Sequence, residues 1–481
     1  MKNNINIAAI LLLIIISGLL VFKDLLRQQK NYSGFEAFVR GEVPFIMKIR
    51  RITGASIAII KDGNIDQIIT YGYANKERGI MNSPEKRFRI ASLSKPVTAW
   101  GIMKLVQDGK IDLDQPVEVY LKRWKFPLSE FNSSEVTVRR LLTHTAGISV
   151  PMYGGYHPDK PRTTIIESLN GKNVAYGPVR IIRKPGTSTS YSGGGYSVLQ
   201  LLIEDVTGES YEKYIEENIL KPLGLKNYSY SNEQEDNPDI AMPYGTNGKK
   251  LPFFIYTELA AGGLICSAED LATFALSFVN EQHVLSENAI EQMTDKNGIP
   301  IVGILKKDSQ KCIGFGGTTL GYSADFWINT NTKNGYVLMS NSNSSVFLGA
   351  EIADYWLKEN IATPDPGLKF FKIELYGIRM LSFALGWIFI LLAWRKIMRI
   401  YTQKETIRLS FKKNYLPVRI MISIILVSGI VLWWLFFHTL LFYPPYQTPW
   451  LPASFLYMSI FILLIVVYII INSLFIYRKS G

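Results

Sequence analysis

The stretch "RIASLSKPVTAW", Arg89 to Trp100, decides how this chain is read. It sets two serines and a lysine within four residues, directly before a proline and an apolar run. Beyond Pro96, the residues Val97, Ala99, Ile102, Met103, Leu105 and Val106 recur at helical spacing, and the pattern stops near Asp108-Gly109. Proline has no N–H to give to a carbonyl one turn back, so Pro96 belongs in the first turn and Ser92 at or near the helix N-terminus. Residues three apart share a helix face and neighbours do not, so Ser92 can meet Lys95 while Ser94 points elsewhere. A serine at a helix start also lies at the positive end of the dipole, where an oxyanion is stabilised. Two readings follow from these residues alone: a helix-capping serine with a solvated lysine, or a nucleophile with an amine that takes its proton.

Further motifs follow in order: "LLTHTAGI" (Leu141–Ile148), "YSGGGY" (Tyr191–Tyr196), "PLGL" (Pro222–Leu225), "AAGGLICSAEDLATFA" (Ala260–Ala275) and "GFGGTTLGY" (Gly314–Tyr322). With Ser92-Leu93-Ser94-Lys95 at their head, they resemble the serine β-lactamase and penicillin-binding protein superfamily, on its class C, D-peptidase and esterase side. The resemblance covers roughly Phe35 to Ile361. It implies an acylated nucleophile at Ser92, with Lys95 as its proton-handling partner. It also implies a catalytic tyrosine at Tyr191, in the slot of a Tyr-x-Asn motif whose asparagine is here Gly193. The family's Lys-Thr-Gly or His-x-Gly strand corresponds to Phe315-Gly316-Gly317. The amide of Thr318 would then join that of Ser92 as an oxyanion hole. Gly316 and Gly317 are expected to let substrate approach the strand edge closely. Phe315 in place of a cation or histidine marks down β-lactams and free-carboxylate peptide ends, and marks up amides, esters and acylated precursors. His144, Tyr196 and the "PLGL" segment are expected to be structural, and Ala261-Gly262-Gly263 to line the cleft.

The coarse pattern is α+β. "ASIAIIKDGNIDQIITYGYA" (Ala55–Ala74) reads as a hairpin around Lys61-Asp62-Gly63-Asn64. Helices are expected over Ser197–Val206 and Ala268–Val279, strands at Tyr322–Ile328 and Tyr336–Ser342, and a closing helix at about Val346–Lys358. The fold class implied is a β-lactamase/DD-peptidase-like antiparallel sheet covered by helices, with a helical cluster beside it.

Four segments are apolar enough to cross a bilayer: about Ile5–Phe22, Tyr376–Trp394, Ile420–Phe442 and Ala453–Ile476. Each is close to the roughly 20 residues a span needs. Much of the net charge of +12 lies in Arg395–Arg419, between two of these runs, which suits a cytoplasmic loop rather than a nucleic-acid patch. Counting back, the region between the first span and Tyr376 is extracytoplasmic. The domains expected are a membrane anchor at 1–30 (an uncleaved anchor in preference to a signal peptide), a hydrolase at 31–362, a linker at 363–375 and a three-helix membrane domain at 376–481. That arrangement resembles the peptidases, of which the colibactin-activating type is one, that remove an acyl-D-amino-acid cap during export.

The two cysteines, Cys266 and Cys312, are too few for a disulfide framework. The four histidines show no ligand spacing, so no metal or other cofactor is expected. The partners expected are a small-molecule or peptide substrate and the lipid bilayer, with no nucleic acid. The leading function is a membrane-anchored serine hydrolase with a Ser-Lys-Tyr acyl-enzyme. The alternatives are a penicillin-binding protein or β-lactamase, a penicillin-sensing receptor whose output would have to pass through very short cytoplasmic segments, and a catalytically dead scaffold.

Overall fold

The computed structural model describes residues 31–362 except 173 and 231–236, together with 377, 380–392, 394–395, 405–409, 464 and 475–479. Residues Gly34–Asp365 form one compact unit. Its centre is a seven-stranded antiparallel sheet. Strands β1 (Gly54–Lys61), β2 (Asn64–Asn75) and β3 (Ile80–Met81) come from the start of the unit. Strands β7 (Gly303–Lys307), β8 (Gln310–Thr319), β9 (Tyr322–Asn329) and β10 (Gly335–Ser340) come from its end. The order is β3-β2-β1-β10-β9-β8-β7, so the two ends of the unit meet at β1 and β10. The expected hairpin is present, and its turn has Asp62 at φ 48° and Gly63 at φ 76°. Two left-handed residues match the right-handed twist of the flanking strands, which is why Asp-Gly suits that turn.

Every residue of β10 and all but the last of β1 are buried, so both faces of the sheet are covered. Alternation sorts the two faces. On one, Tyr336 meets Phe35 and Trp356, from the helices Phe35–Arg50 and Ser345–Ile361. On the other, Phe326 stacks with Phe278, which in turn meets Trp100 and Phe274. Those two residues bring in the helices Ser94–Gln107 and Ala268–Leu276. This second face carries the helical cluster, including Gly193–Thr207, and a small sheet with strand order β4-β6-β5. Its strands are β4 (Phe88–Arg89), β5 (Tyr228–Tyr230) and β6 (Leu264–Cys266). Cys266 and Cys312 are both buried and free.

Outside this unit, strands β11 (Glu405–Leu409) and β12 (Phe475–Lys479) pair antiparallel. Residues 380–392 are helical within the second expected span. Among the described residues no helix is long and apolar enough to cross a membrane. The first and third expected spans, and nearly all of the fourth, lie outside the described residues.

Asn341 joins the sheet to its surroundings. Its buried amide donates to the carbonyls of Tyr73 (3.1 Å), Ala74 (3.1 Å) and Met242 (2.9 Å). Asn341→Ala leaves buried carbonyls without donors and is expected to cost about 1–3 kcal/mol, read as a lowered denaturation midpoint at unchanged slope.

Candidate active site

Ser92 is not the first residue of the long helix. It sits in a 3-10 turn, Ala91–Leu93, that leads into the helix Ser94–Gln107. The turn starts at Ala91 with φ 50°, a left-handed conformation that costs an alanine of order 1 kcal/mol. The turn presents Ser92 to the cleft and buries its neighbours. Ser94 is buried, and its Oγ accepts from the Leu264 N–H at 3.1 Å, so the two serines of the motif have opposite tasks.

One turn on, Lys95 is only 3% exposed. Its Nζ donates to the Ala261 carbonyl at 2.6 Å and to Ser92 Oγ at 3.3 Å. The backbone segment carrying that carbonyl is itself held. Gln200 bonds the Thr257 carbonyl and the Ala260 N–H, and Thr98 donates to the Ala260 carbonyl. Tyr191 closes the arrangement from the other side, its hydroxyl donating to Ser92 Oγ at 2.8 Å. The Lys95 Nζ lies 5.0 Å from the centre of the Tyr191 ring. Tyr191 directly precedes Ser192, whose Oγ caps the helix Gly193–Thr207 by accepting from the Gly195 N–H.

Gly317 is required by sterics. A β-carbon there would lie 2.3 Å from the Ile90 carbonyl oxygen and 2.7 Å from the Ser92 nitrogen. The Ser92 turn therefore packs directly on the edge of β8. Strand β7 pairs with β8 only as far as Gly314, so among the described residues Phe315–Thr319 has no partner strand on that edge. The pairs Thr319↔Tyr322 and Thr318↔Ser323 flank a two-residue turn. In such a hairpin the pair next to the turn is hydrogen-bonded and the next pair is not, so the Thr318 N–H points out at that edge. The amides of Thr318 and Ser92 are thus placed on the same side of the cleft.

Two expectations need correction. Gly316 lies on the outer face of β8 and is exposed; a β-carbon there would meet only Asp325 and Ala324, at 3.8 and 3.9 Å. It does not line the cleft, because only alternate residues of a strand face the Ser92 turn. Gly317 does face it, and its smallness makes room for the turn rather than for substrate. Phe315 is half-buried on that same face and is not among the cleft-lining residues. In the "AAGG" segment, Ala261 and Gly262 line the cleft, while Gly263 packs back on Leu259.

The cleft walls are largely aromatic and small. Tyr153, Tyr256 and Tyr191 face it with Pro151, Met152, Gly193 and Thr319. A β-carbon on Gly193 would come within 3.2 Å of the Tyr153 ring, so that ring occupies the space an asparagine at this position would need. The Tyr256 hydroxyl bonds to Thr319 Oγ1. Tyr153 and Tyr256 carry no signal in their local sequence; only the fold brings them here. Tyr196 is fully buried and donates to the Leu142 carbonyl, a packing role as expected. Among the described residues there is no cluster of side chains able to hold a metal.

Gly317→Ala is expected to lift the Ser92 turn off β8 and lower kcat/KM by roughly 100-fold, as a misplaced nucleophile does. Gly316→Ala, with open space around it, is expected to retain activity. Steady-state kinetics on a p-nitrophenyl ester compare the two.

Comparisons with known proteins give the family and the fold. Residues 39–360 match the Beta-lactamase family. Protein flp of Staphylococcus aureus (strain MRSA252) is 27% identical over 305 residues, covering 61% of this chain and 60% of its own length. The putative penicillin-binding protein PbpX of Bacillus subtilis (strain 168) is 30% identical over 241 residues, covering 49% of this chain and 57% of its own. The chain thus spans about three-fifths of the length of these relatives. Among solved structures, an octameric penicillin-binding protein homologue from Pyrococcus abyssi matches with TM-score 0.56 and 28% identity, over 68% of this chain and 78% of that one. The D-amino acid amidase of Ochrobactrum anthropi SV3 shares the fold, with TM-score 0.53 and 23% identity over 63% of this chain and 91% of its own. With the family matched along two-thirds of its length, and the serine, lysine and tyrosine of its motifs gathered at one cleft, the chain belongs to the Beta-lactamase family.

Proposed function

We propose that this chain is a membrane-anchored, extracytoplasmic serine hydrolase of the class C-like type, working through an acyl-enzyme on a neutral amide or ester. The observation that carries the reading is the convergence of Lys95 Nζ and Tyr191 Oη on Ser92 Oγ, at 3.3 and 2.8 Å. The Lys95–Tyr191 pair starts one proton short of an ammonium plus a phenol; Ser92 Oγ attacks the substrate carbonyl and gives its proton to that pair. The carbonyl oxygen takes the electron pair and is held by the Ser92 and Thr318 amides. When the oxygen pair returns, the bond to the leaving amine or alkoxide breaks, and Tyr191, the more exposed of the two proton carriers, protonates that group. Water enters, passes a proton back along the same route and releases the acid, regenerating Ser92.

The preference for a neutral substrate rests on the cleft wall. Lys95 is the one basic side chain lining it among the described residues, and its Nζ is already committed to the Ala261 carbonyl and Ser92 Oγ. A substrate carboxylate would lose its hydration without gaining a partner, a cost an amide or ester avoids. The D-amino acid amidase that shares the fold acts, by its name, on amides. A peptidase removing an acyl-D-amino-acid cap falls within this class.

The membrane reading is supported by the four apolar runs and by β11–β12. That pairing joins the basic segment and the C-terminal tail, which the span count assigns to the same side.

Two experiments test the proposal. Ser92→Ala is expected to abolish hydrolysis and labelling by a fluorophosphonate. Ser94→Ala is expected to keep both and lose about 1–3 kcal/mol of stability through the unpaired Leu264 N–H; turnover surviving in Ser92→Ala removes the mechanism. For topology, cysteines are placed at the fully exposed Leu128 and at Ser410. An impermeant maleimide applied to intact cells is expected to label the first and not the second. The opposite pattern removes the extracytoplasmic assignment.

A further inference from the structure

His144 reaches the catalytic tyrosine by three routes. Its carbonyl accepts from the Ser190 N–H at 2.7 Å, and its Nδ1 accepts from the Ser192 N–H at 3.1 Å. These N–H groups belong to the two residues on either side of Tyr191. Its ring also lies 4.4 Å from the Tyr191 ring, tilted by 38°, with Tyr196 5.2 Å away. To do this His144 adopts φ 59°, a left-handed conformation that non-glycine residues hold only where surrounding contacts fix it.

We propose that His144 is a positioning residue that fixes the Tyr191 hydroxyl over Ser92 by clamping the backbone on both sides of the tyrosine and packing on its ring. Tyr191 needs such a clamp. It is 43% exposed and stands just before a helix N-cap, where its own element gives it no regular backbone pairing. The hydrogen bond it makes to Ser92 spans 99 positions of sequence, so nothing local holds the two together.

The imidazole is suited to accepting and not to proton transfer. As Nδ1 takes the Ser192 N–H, the ring proton sits on Nε2 in the neutral tautomer. Burial, aided by the Lys95 charge, pushes its pKa down to about 3, so the acceptor persists across the working pH range. His144 is also absent from the cleft-lining residues, so it does not meet substrate.

This inference rests on the catalytic role given to Tyr191, and the experiment separates the two. The full chain in detergent is assayed on a p-nitrophenyl ester as His144→Gly, His144→Asn, Tyr191→Phe and the double variant His144→Gly/Tyr191→Phe. Glycine accepts φ 59° without strain, so it deletes the side chain while sparing the backbone; asparagine tolerates the same conformation and restores an acceptor. His144→Gly is expected to lower kcat by roughly 10- to 100-fold with KM little changed, the size of a misplacement effect. His144→Asn is expected to recover most of that loss. In the Tyr191→Phe background, His144→Gly is expected to cost nothing further, because coupled residues are non-additive. Full activity in His144→Gly, or the same fold-loss with and without the Tyr191 hydroxyl, overturns the proposal. Full activity in Tyr191→Phe alone would instead sink the mechanism on which it stands.

Discussion

The contact between the Ser92 turn and Gly317 is the constraint on which the rest of the site depends. A side chain of any size at Gly317 would collide with the Ile90 carbonyl and the Ser92 nitrogen. Its absence lets the helical cluster and the sheet share an edge. That shared edge sets the Ser92 amide beside the outward-pointing Thr318 amide and holds Ala91 in a conformation it would not adopt alone. Two main-chain donors fixed in this way need no reorganisation when charge develops between them. The placement of these amides does not involve the side chain at position 315, so a phenylalanine there leaves the two donors where they are.

Three of the buried charged-type side chains among the described residues, Lys95, Glu258 and Arg89, are each handled differently. Lys95 is satisfied by the Ala261 carbonyl and Ser92. Glu258 accepts from the hydroxyls of Tyr156 and Ser168, and burial raises its pKa above the usual carboxylate value. The Arg89 guanidinium, 2% exposed, lies 4.5 Å from the centre of the Tyr256 ring and 4.9 Å from that of Phe253. Ring faces are electron-rich, so they offset part of the desolvation that a buried cation suffers. Tyr256 lines the cleft, so the stack beneath it also braces a wall of the substrate site.

Where sequence and structure differ, the difference is one of distance along the chain. The "LLTHTAGI" segment reads as a helix end and turn, and it is one. Its histidine acquires a second task because Tyr191, far along the chain, folds against it. The glycine pair at 316 and 317 reads as one feature, yet strand alternation gives the two residues opposite faces and unrelated environments. Tyr153 fills the space beside Gly193, and no spacing rule links residues forty positions apart.

What the sequence by itself determined was set by short-range chemistry. Pro96 and the apolar spacing fixed a helix start, the three-residue offset paired Ser92 with Lys95, and Asp62-Gly63 fixed a hairpin turn. The order of the motifs identified the family and with it the antiparallel sheet. The tertiary structure alone decided which groups complete the site: the Ala261 carbonyl under Lys95, the Tyr191 hydroxyl on Ser92, the turn seated on Gly317 and the His144 clamp. Each of these depends on the packing of separate elements through close approach. A local pattern of residue types carries the propensity of each element but not the distances between elements, and it is those distances that bring Lys95 and Tyr191 onto Ser92.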